Sequence, residues 1–327
     1  MSSNSTFPLT GFRKSYLAST HPWYYNPNPQ LWSVMSDYLL SILGPVAAYW
    51  LLSSFFEILD RGDWEWLRKY KIHESSEVTS RNRVTKRQVV TAVILQQAIQ
   101  ITLGYFWMDP TTKTGGPIST HILRMETLAP TIFRSLEALV GRRAAAFLWL
   151  HKAEELVYYV YWWAIPLAQL LFGFFLIDTW QYFLHRAMHM NTFLYKTFHS
   201  WHHRLYVPYS YGALYNHPAE GFILDSCGAV IAEWLSGMSL RQATLLFTIA
   251  TFKTVDDHCG YSLPFDPLQW FTGNSSDYHD IHHQVIGIKS NFSQPFFVHW
   301  DVLLGTRMTR QDIEARKKLK PAETKSS

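Results

Sequence analysis

Three short stretches decide how this chain is read: His185-Arg-Ala-Met-His189, His199-Ser-Trp-His202-His203 and His279-Asp-Ile-His282-His283. They hold eight of the fifteen histidines, and the last two share one spacing, i, i+3, i+4. On a helix that spacing turns all three imidazoles to one face, as the i, i+4 pair His185/His189 does. A lone histidine is ordinarily a hydrogen-bonded core or surface side chain. Three recurrences within about a hundred residues argue instead for convergence on metal. Imidazole suits iron, zinc, copper or nickel, and eight rings exceed the roughly four to six ligands of one ion, so a site for two metals is expected.

Composition sets this site against a membrane. Aromatic residues make up 16% of the chain, with fourteen tryptophans, while charged residues reach only 17% against about 25% in soluble domains. Trp and Tyr in such numbers fit a membrane-interface belt. The net charge of +4 is spread along the chain and gives no argument for nucleic acid; basic residues near a membrane surface are the simpler account. Cys227 and Cys259 have no C-x-x-C spacing and suggest neither a disulfide framework nor a zinc ribbon, which fits a reducing compartment.

Working outward from the first histidine pair, Leu156 to Trp180 is the strongest apolar run and reads as a membrane span, or as a kinked hairpin if it breaks at Pro166. Two earlier spans are expected, Tyr38 to Ile58 and Val89 to Met108. In the second, Gln96, Gln97 and Gln100 share a face that should pack inward. The basic loop between them, with Arg61, Arg68, Lys69, Lys71, Arg81, Arg83, Lys86 and Arg87, is cytosolic by the positive-inside bias. Residues 109–153 turn amphipathic around Ile132, Leu136, Leu139 and Val140, an interfacial helix or else the core helix of a soluble cap. Gly221 to Thr251 forms two shorter apolar segments around Ser236-Gly237, carrying Asp225 and Glu233. A hairpin dipping into the membrane and returning is expected there, which keeps residues 279–283 on the same side as 185–203.

The fold class that results is all-α: a multi-pass membrane helical bundle with a histidine-rich two-metal helical cap at the cytosolic face. Its parts are a polar segment 1–36 without a secretory-leader pattern, membrane and interfacial helices 37–177, the histidine domain with its hairpin 178–306, and a basic tail 307–327. Asn4-Ser-Thr6 matches a glycosylation sequon, a three-residue pattern of little weight.

Two further histidines are candidate ligands, His217 in Asn216-His-Pro-Ala-Glu220 and His258 in Asp256-Asp-His-Cys-Gly260. Asp178 precedes His185 by two helical turns and is placed to orient a ligand ring, as are Asp256, Asp257 and Asp280, unless they form ordinary salt bridges or caps. Tyr206, Tyr209, Tyr211 and Tyr215 read as an interfacial belt or the wall of a lipid cleft. Imidazole-rich pairs of sites without cysteine suit iron that handles dioxygen. Hydrolytic zinc needs only three protein ligands, and the H-E-x-x-H signature is missing.

The pattern H-x-x-x-H, H-x-x-H-H, H-x-x-H-H resembles the fatty acid hydroxylase (sterol desaturase) superfamily of membrane di-iron enzymes. Longer stretches resemble its fungal sphinganine 4-hydroxylase branch: Leu205-Tyr-Val-Pro-Tyr-Ser-Tyr-Gly-Ala-Leu-Tyr-Asn-His-Pro-Ala-Glu-Gly221, Lys253-Thr-Val-Asp-Asp-His-Cys-Gly-Tyr261, Tyr278-His-Asp-Ile-His-His-Gln284 and Asn291-Phe-Ser-Gln-Pro-Phe-Phe297. The resemblance runs from about Asp178 to Thr306. It implies oxygen-dependent hydroxylation of carbon 4 of sphinganine or dihydroceramide in the endoplasmic reticulum membrane, giving phytosphingosine or phytoceramide. The implied cofactors are two iron ions, with molecular oxygen as co-substrate and electrons from NAD(P)H through a cytochrome b5-type donor. Asp256, Asp257 or Glu220 is expected near the amino-alcohol head, which an acid favours. Related fatty acid 2-hydroxylases carry a histidine where this chain has Thr254, and His217 is the candidate replacement. Two other functions are set against this one: a sterol desaturase or sterol methyl oxidase of the same superfamily, and a histidine-rich membrane metal transporter, which would need ionisable residues along its span interiors.

Overall fold

The structure, a computed structural model, describes residues 14–107 and 114–319. The sequon at Asn4 and residues 320–327 of the tail lie outside them. Uncharged runs become the long helices. Helix α1 (Asp37–Gly62) starts where Ser36 accepts a hydrogen bond from the Leu39 amide, and α2 is Lys86–Trp107. Helix α3 (Ile118–Val140) leads into α4 (Arg142–Tyr159), a π turn at Val160–Ala164, and α5 (Ile165–Met190). By length and composition α1, α2 and the run Arg142–Met190 are able to cross a membrane. They also present large apolar side chains outward, such as Leu51, Phe55, Leu95, Phe106, Leu171 and Phe172, a surface suited to lipid rather than water.

Pro166 does not fold this run into a hairpin. It stands at the second position of α5, directly after the π turn, where the hydrogen-bond ladder is already interrupted and a missing N–H is tolerated. The amphipathic positions near Ile132 belong to the end of α3, which packs on α4 and on the short helix Lys14–Ser19 through Leu17, Met125, Ala129 and Trp149.

Residues 228–257 form two consecutive helices joined at a turn, a helical hairpin. After a π turn at Phe222–Cys227, α6 (Gly228–Ser236) ends at Gly237, whose φ of 61° is a conformation glycine adopts at no steric cost. Helix α7 (Leu240–Asp257) then begins with a reciprocal cap between Ser239 and Gln242. Helix α6 lies on α5 and α7 runs along α1, where Arg241 pairs with Asp37 at 2.7 Å. The close approach depends on Gly173 of α5: a Cβ there would stand 2.8 Å from Met238 Cε and 2.9 Å from Leu246 Cδ2. Gln96 and Gln97 are buried as expected, and Trp50 Nε1 donates to Gln97 Oε1 at 2.8 Å.

Helix α8 (Ser276–His283) completes the histidine domain. A core of Tyr49, Phe56, Val89 and Val93 with Leu205, Tyr215, Val255 and Tyr261 locks this domain to α1 and α2. The basic segment between α1 and α2 packs on the same end: Arg83 N donates to Arg204 O at 2.8 Å and Ile72 N to Gly260 O at 2.9 Å. Among the described residues there is no β-strand, only two isolated bridges.

Candidate metal centre

His185 and His189 occupy the last turns of α5, His199–Arg204 is a 3₁₀ turn, His258 caps the C-terminus of α7, and α8 carries His279, His282 and His283. Their nitrogens form two groups: His185, His189, His199, His203 and His282, and separately His202, His258, His279 and His283. Within each group one nitrogen per residue lies within 4.8 Å of the others. Eight of these nine side chains are buried and His203 is half-buried.

The expectation that each H-x-x-H-H box turns all its rings to one place is corrected. His199 and His203 join the first group and His202 the second; His279 and His283 join the second and His282 the first. On α8 the i+4 ring is rotated about 40° one way from i and the i+3 ring about 60° the other, which splits one face into two directions. The 3₁₀ turn divides its rings as well, so each box addresses both centres, with opposite shares.

Hydrogen bonds fix which ring nitrogen is free. Nδ1 of His185, His258, His282 and His283 lies 2.7–2.8 Å from the carbonyls of Phe292, Thr254, Ser290 and Leu205, with the Gln294 side-chain amide also 2.9 Å from His185 Nδ1. His202 Nδ1 faces Tyr215 O at 3.3 Å, and His199 Nδ1 is 2.5 Å from Glu220 Oε1. A carbonyl only accepts, so in the neutral rings Nδ1 carries the proton and Nε2 holds a lone pair. These Nε2 atoms then face one another: 3.1 Å from His185 to His199, 3.2 Å from His189 to His185, 3.0 Å from His279 to both His258 and His283, and 3.4 Å from His258 to His202. His282 Nε2 is buried without a hydrogen-bond partner. Lone pairs crowded at this distance need a cation between them. Nitrogens bound at about 2.1 Å to one ion stand about 3.0 Å apart in an octahedron and about 3.4 Å apart in a tetrahedron. The observed spacings span that range, so the donor set fits two metal ions.

Burial keeps these rings neutral. It holds His199, His203, His279 and His283 well below the ordinary imidazole value, with the neighbouring rings adding to the effect. His202 falls to about 4 and His258 and His282 to about 3 for the same first reason. All are therefore ready to ligate at neutral pH.

The other expected site residues divide. Glu220 orients His199 as an outer partner, and burial with the nearby Asp225 carboxylate pushes Glu220 up to about 8. Asp178 touches no histidine. It accepts from Phe296 N at 2.9 Å and Phe297 N at 2.7 Å, and so holds the loop whose Phe292 carbonyl fixes His185. Asp256 and Asp257 turn away from the rings, Asp257 pairing with Lys253 and accepting from Asn274 Nδ2 at 2.9 Å, and Asp256 accepting from Gln269 Nε2 at 3.3 Å. Asp280 sits about 100° around α8 from His279 and binds His73 at 2.8 Å and Arg310. His217 stands outside both groups. It caps the helix Pro218–Gly221, its Nδ1 accepting from Ala219 N at 3.2 Å, with its ring against Phe198 and Trp201. Tyr209 and Tyr215 are core residues, Tyr211 packs on Trp50 and Tyr206 lies under Arg81; none of the four lines the apolar cavity between α1, α2, α5 and the hairpin.

Two residues not singled out from sequence support the site. Buried Asp301 accepts from Phe292 N at 3.0 Å, Ser293 N at 2.8 Å and Tyr278 Oη at 2.9 Å. Asn291, at φ 55°, exchanges hydrogen bonds with the Met308 backbone and donates to Tyr278 O. A lone acid in the apolar stretch Phe296 to Leu304 was the readable signal for the first. Beneath the histidines, an apolar cavity of about 450 Å³ lies between α1, α2, α5 and the hairpin and reaches Thr254 and Pro295.

Fold and site together define a helical protein with three membrane-length helices and a paired histidine centre at one end. Residues 170–306 match the fatty acid hydroxylase family. The chain is 43% identical to the sphingolipid C4-hydroxylase SUR2 of Saccharomyces cerevisiae, over 94% of this chain and 84% of that one. It is 41% identical to sphinganine C4-monooxygenase 2 of Arabidopsis thaliana, over 84% and 89%. The rice (Oryza sativa) very-long-chain aldehyde decarbonylase GL1-9 is 36% identical over 84% and 90%. No solved structure matches. The chain belongs to the fatty acid hydroxylase family, alongside its sphingolipid C4-hydroxylases.

Proposed function

We propose that the protein is a membrane di-iron monooxygenase that hydroxylates carbon 4 of sphinganine or dihydroceramide, giving phytosphingosine or phytoceramide. One observation carries the reading: nine histidine side chains present a five-nitrogen and a four-nitrogen group above an apolar cavity, in a chain 43% identical to a sphingolipid C4-hydroxylase. Two bound iron ions would supply the activation of dioxygen that an unactivated C–H bond requires, chemistry beyond acid–base side chains. His185, His189, His199, His203 and His282 hold one ion; His202, His258, His279 and His283 hold the other. Glu220 and the carbonyls of Phe292, Ser290, Leu205 and Thr254 keep the proton on each outer nitrogen. The cavity takes the alkyl chain and excludes water.

In this reading α1, α2 and the Arg142–Met190 run span the endoplasmic reticulum membrane, residues 178–306 form the iron domain, and the histidines face the cytosol, the side favoured for the basic segment packed beside them. That segment suits an acidic cytochrome b5-type donor passing electrons from NAD(P)H. A transporter would spread ionisable groups through the span interiors, whereas these histidines gather at one end.

The test is lipid analysis of cells that lack 4-hydroxylated long-chain bases and express this chain. The wild type should restore those bases, and His282→Ala and His202→Ala should not. Accumulation of sterol intermediates instead, with no 4-hydroxylated base, contradicts the proposal. The rice relative supports one further assay: an alkane formed from a supplied very-long-chain aldehyde, with no hydroxylated base, would favour decarbonylation.

A further inference from the structure

The apolar cavity contains one acid. Among the described residues lining it, Asp225 alone is acidic, and there is no lysine, arginine or histidine. Its Oδ2 is buried and has no hydrogen-bond partner. Buried carboxylate oxygens are ordinarily paired, and one left open in an apolar wall lacks the cation or donor that would complete it. Asp225 stands in the π turn Phe222–Cys227, a distortion frequent at functional positions.

Its height in the cavity matters. Ile42 and Gly104, near the start of α1 and the end of α2, lie at the end remote from the histidines. Thr254, whose carbonyl fixes His258, lies at the near end. Asp225 belongs to the near end: Trp180, five residues before His185, donates from Nε1 to Ile223 O at 2.9 Å, and Asp225 is close enough to Glu220 to act on its carboxyl. A ligand completing Asp225 thus carries a cationic group close to the reacting carbon and a long apolar chain running away from it.

We infer that Asp225 is the counter-charge for the protonated 2-amino group of a free long-chain base, so that the site takes the free base in preference to its N-acylated form. The inference rests on the hydroxylase reading above. In that substrate the amine is two carbons from carbon 4, so its partner must lie at the reactive end of the cavity. A primary amine is cationic near neutral pH. Acylation turns it into a neutral amide, which leaves the carboxylate unpaired. Asp225 is a specificity residue here, not a catalytic one.

The test measures equilibrium binding of sphinganine and N-acetylsphinganine to the full-length protein in lipid nanodiscs, with product formation followed separately. The wild type should bind the free base at least about tenfold more tightly than the acetylated one. Asp225→Asn should remove most of that difference by weakening the free base alone, raising its KM with kcat unchanged. Asp225→Glu should restore most of it, each variant retaining the wild-type iron content. Equal wild-type affinity for the two ligands, or an Asn variant that weakens both alike or neither, overturns the assignment. Because binding is read without turnover, a wild type that binds the base and forms no 4-hydroxylated product would sink the hydroxylase reading alone.

Discussion

The two histidine groups are built from similar rings and held in different ways. The second group, His202, His258, His279 and His283, draws on the 3₁₀ turn, the end of α7 and α8, and all four of its members are buried. The first group takes two ligands from the end of a membrane-length helix, one from α8 and two from the 3₁₀ turn, and His203 is half-buried. His185 depends on the Phe292 carbonyl, and that loop is held by Asp178 and Asp301. The first group is thus tied to α5 and to a loop that two buried carboxylates support, whereas the second is tied to α1 and α2 through α7 and through Leu205 and Tyr215 of the shared core. Its fifth histidine makes the first group the more crowded centre.

The sharpest break in this comparison comes from the ligands. The double variant His189→Ala/His282→Ala should leave the second group intact and His283→Ala the first, each cutting one group to three nitrogens and lowering bound iron from two per chain to about one and activity by more than about a hundredfold. If either variant keeps both ions, the assignment of rings to groups is wrong. Next in size, Asp301→Ala leaves two loop amides and the Tyr278 hydroxyl without their acceptor and should cost about 3–5 kcal/mol. Iron should be lost from the first group before the second, as read by comparing metal content with and without the His283→Ala background.

Acid separates folded from unfolded chain. His202, at about 4 when folded, stays neutral while the unfolded ring titrates near 6.5. The contribution of His202 to the stability of the iron-free protein, read as the difference between wild type and His202→Ala, should thus be level above pH 7 and fall as pH drops through 6.5 towards 4, by about 3 kcal/mol. A wild type and a His202→Ala variant whose denaturant resistance changes alike from pH 7 to 5 would contradict the buried neutral ring. Glu220→Gln should cost roughly ten- to a hundredfold in activity or metal affinity by loosening His199, with smaller effects on the second group. His217→Ala should be the mildest, removing a cap worth about 1 kcal/mol while both ions and most of the activity persist; loss of an ion would restore His217 as a ligand.

How much of this was legible in the sequence follows from the range of each interaction. The boxes were readable because i, i+3 and i+4 are local spacings, and the hairpin because Ser236-Gly237 divides two short apolar runs. The crosswise sharing of rings was not, since it depends on how a 3₁₀ turn and α8 approach each other. Asp178 was placed on the right side of the site but acts through amides 118 and 119 residues away, a contact no local pattern announces. His217 was misread because Asn-His-Pro-Ala-Glu also describes a capped turn. Asp225 showed as an acid in an apolar run, yet its lack of a partner became apparent only once four helices enclosed it.

The central claim is that two separate histidine groups each hold one ion. Iron content of the purified protein, loaded anaerobically with ferrous iron, tests it most directly. The account predicts two ions per wild-type chain and about one in His189→Ala/His282→Ala and in His283→Ala, each of which cuts one group to three nitrogens. A wild type that saturates at a single ion, or two variants that each remove both ions from an otherwise folded chain, would contradict it.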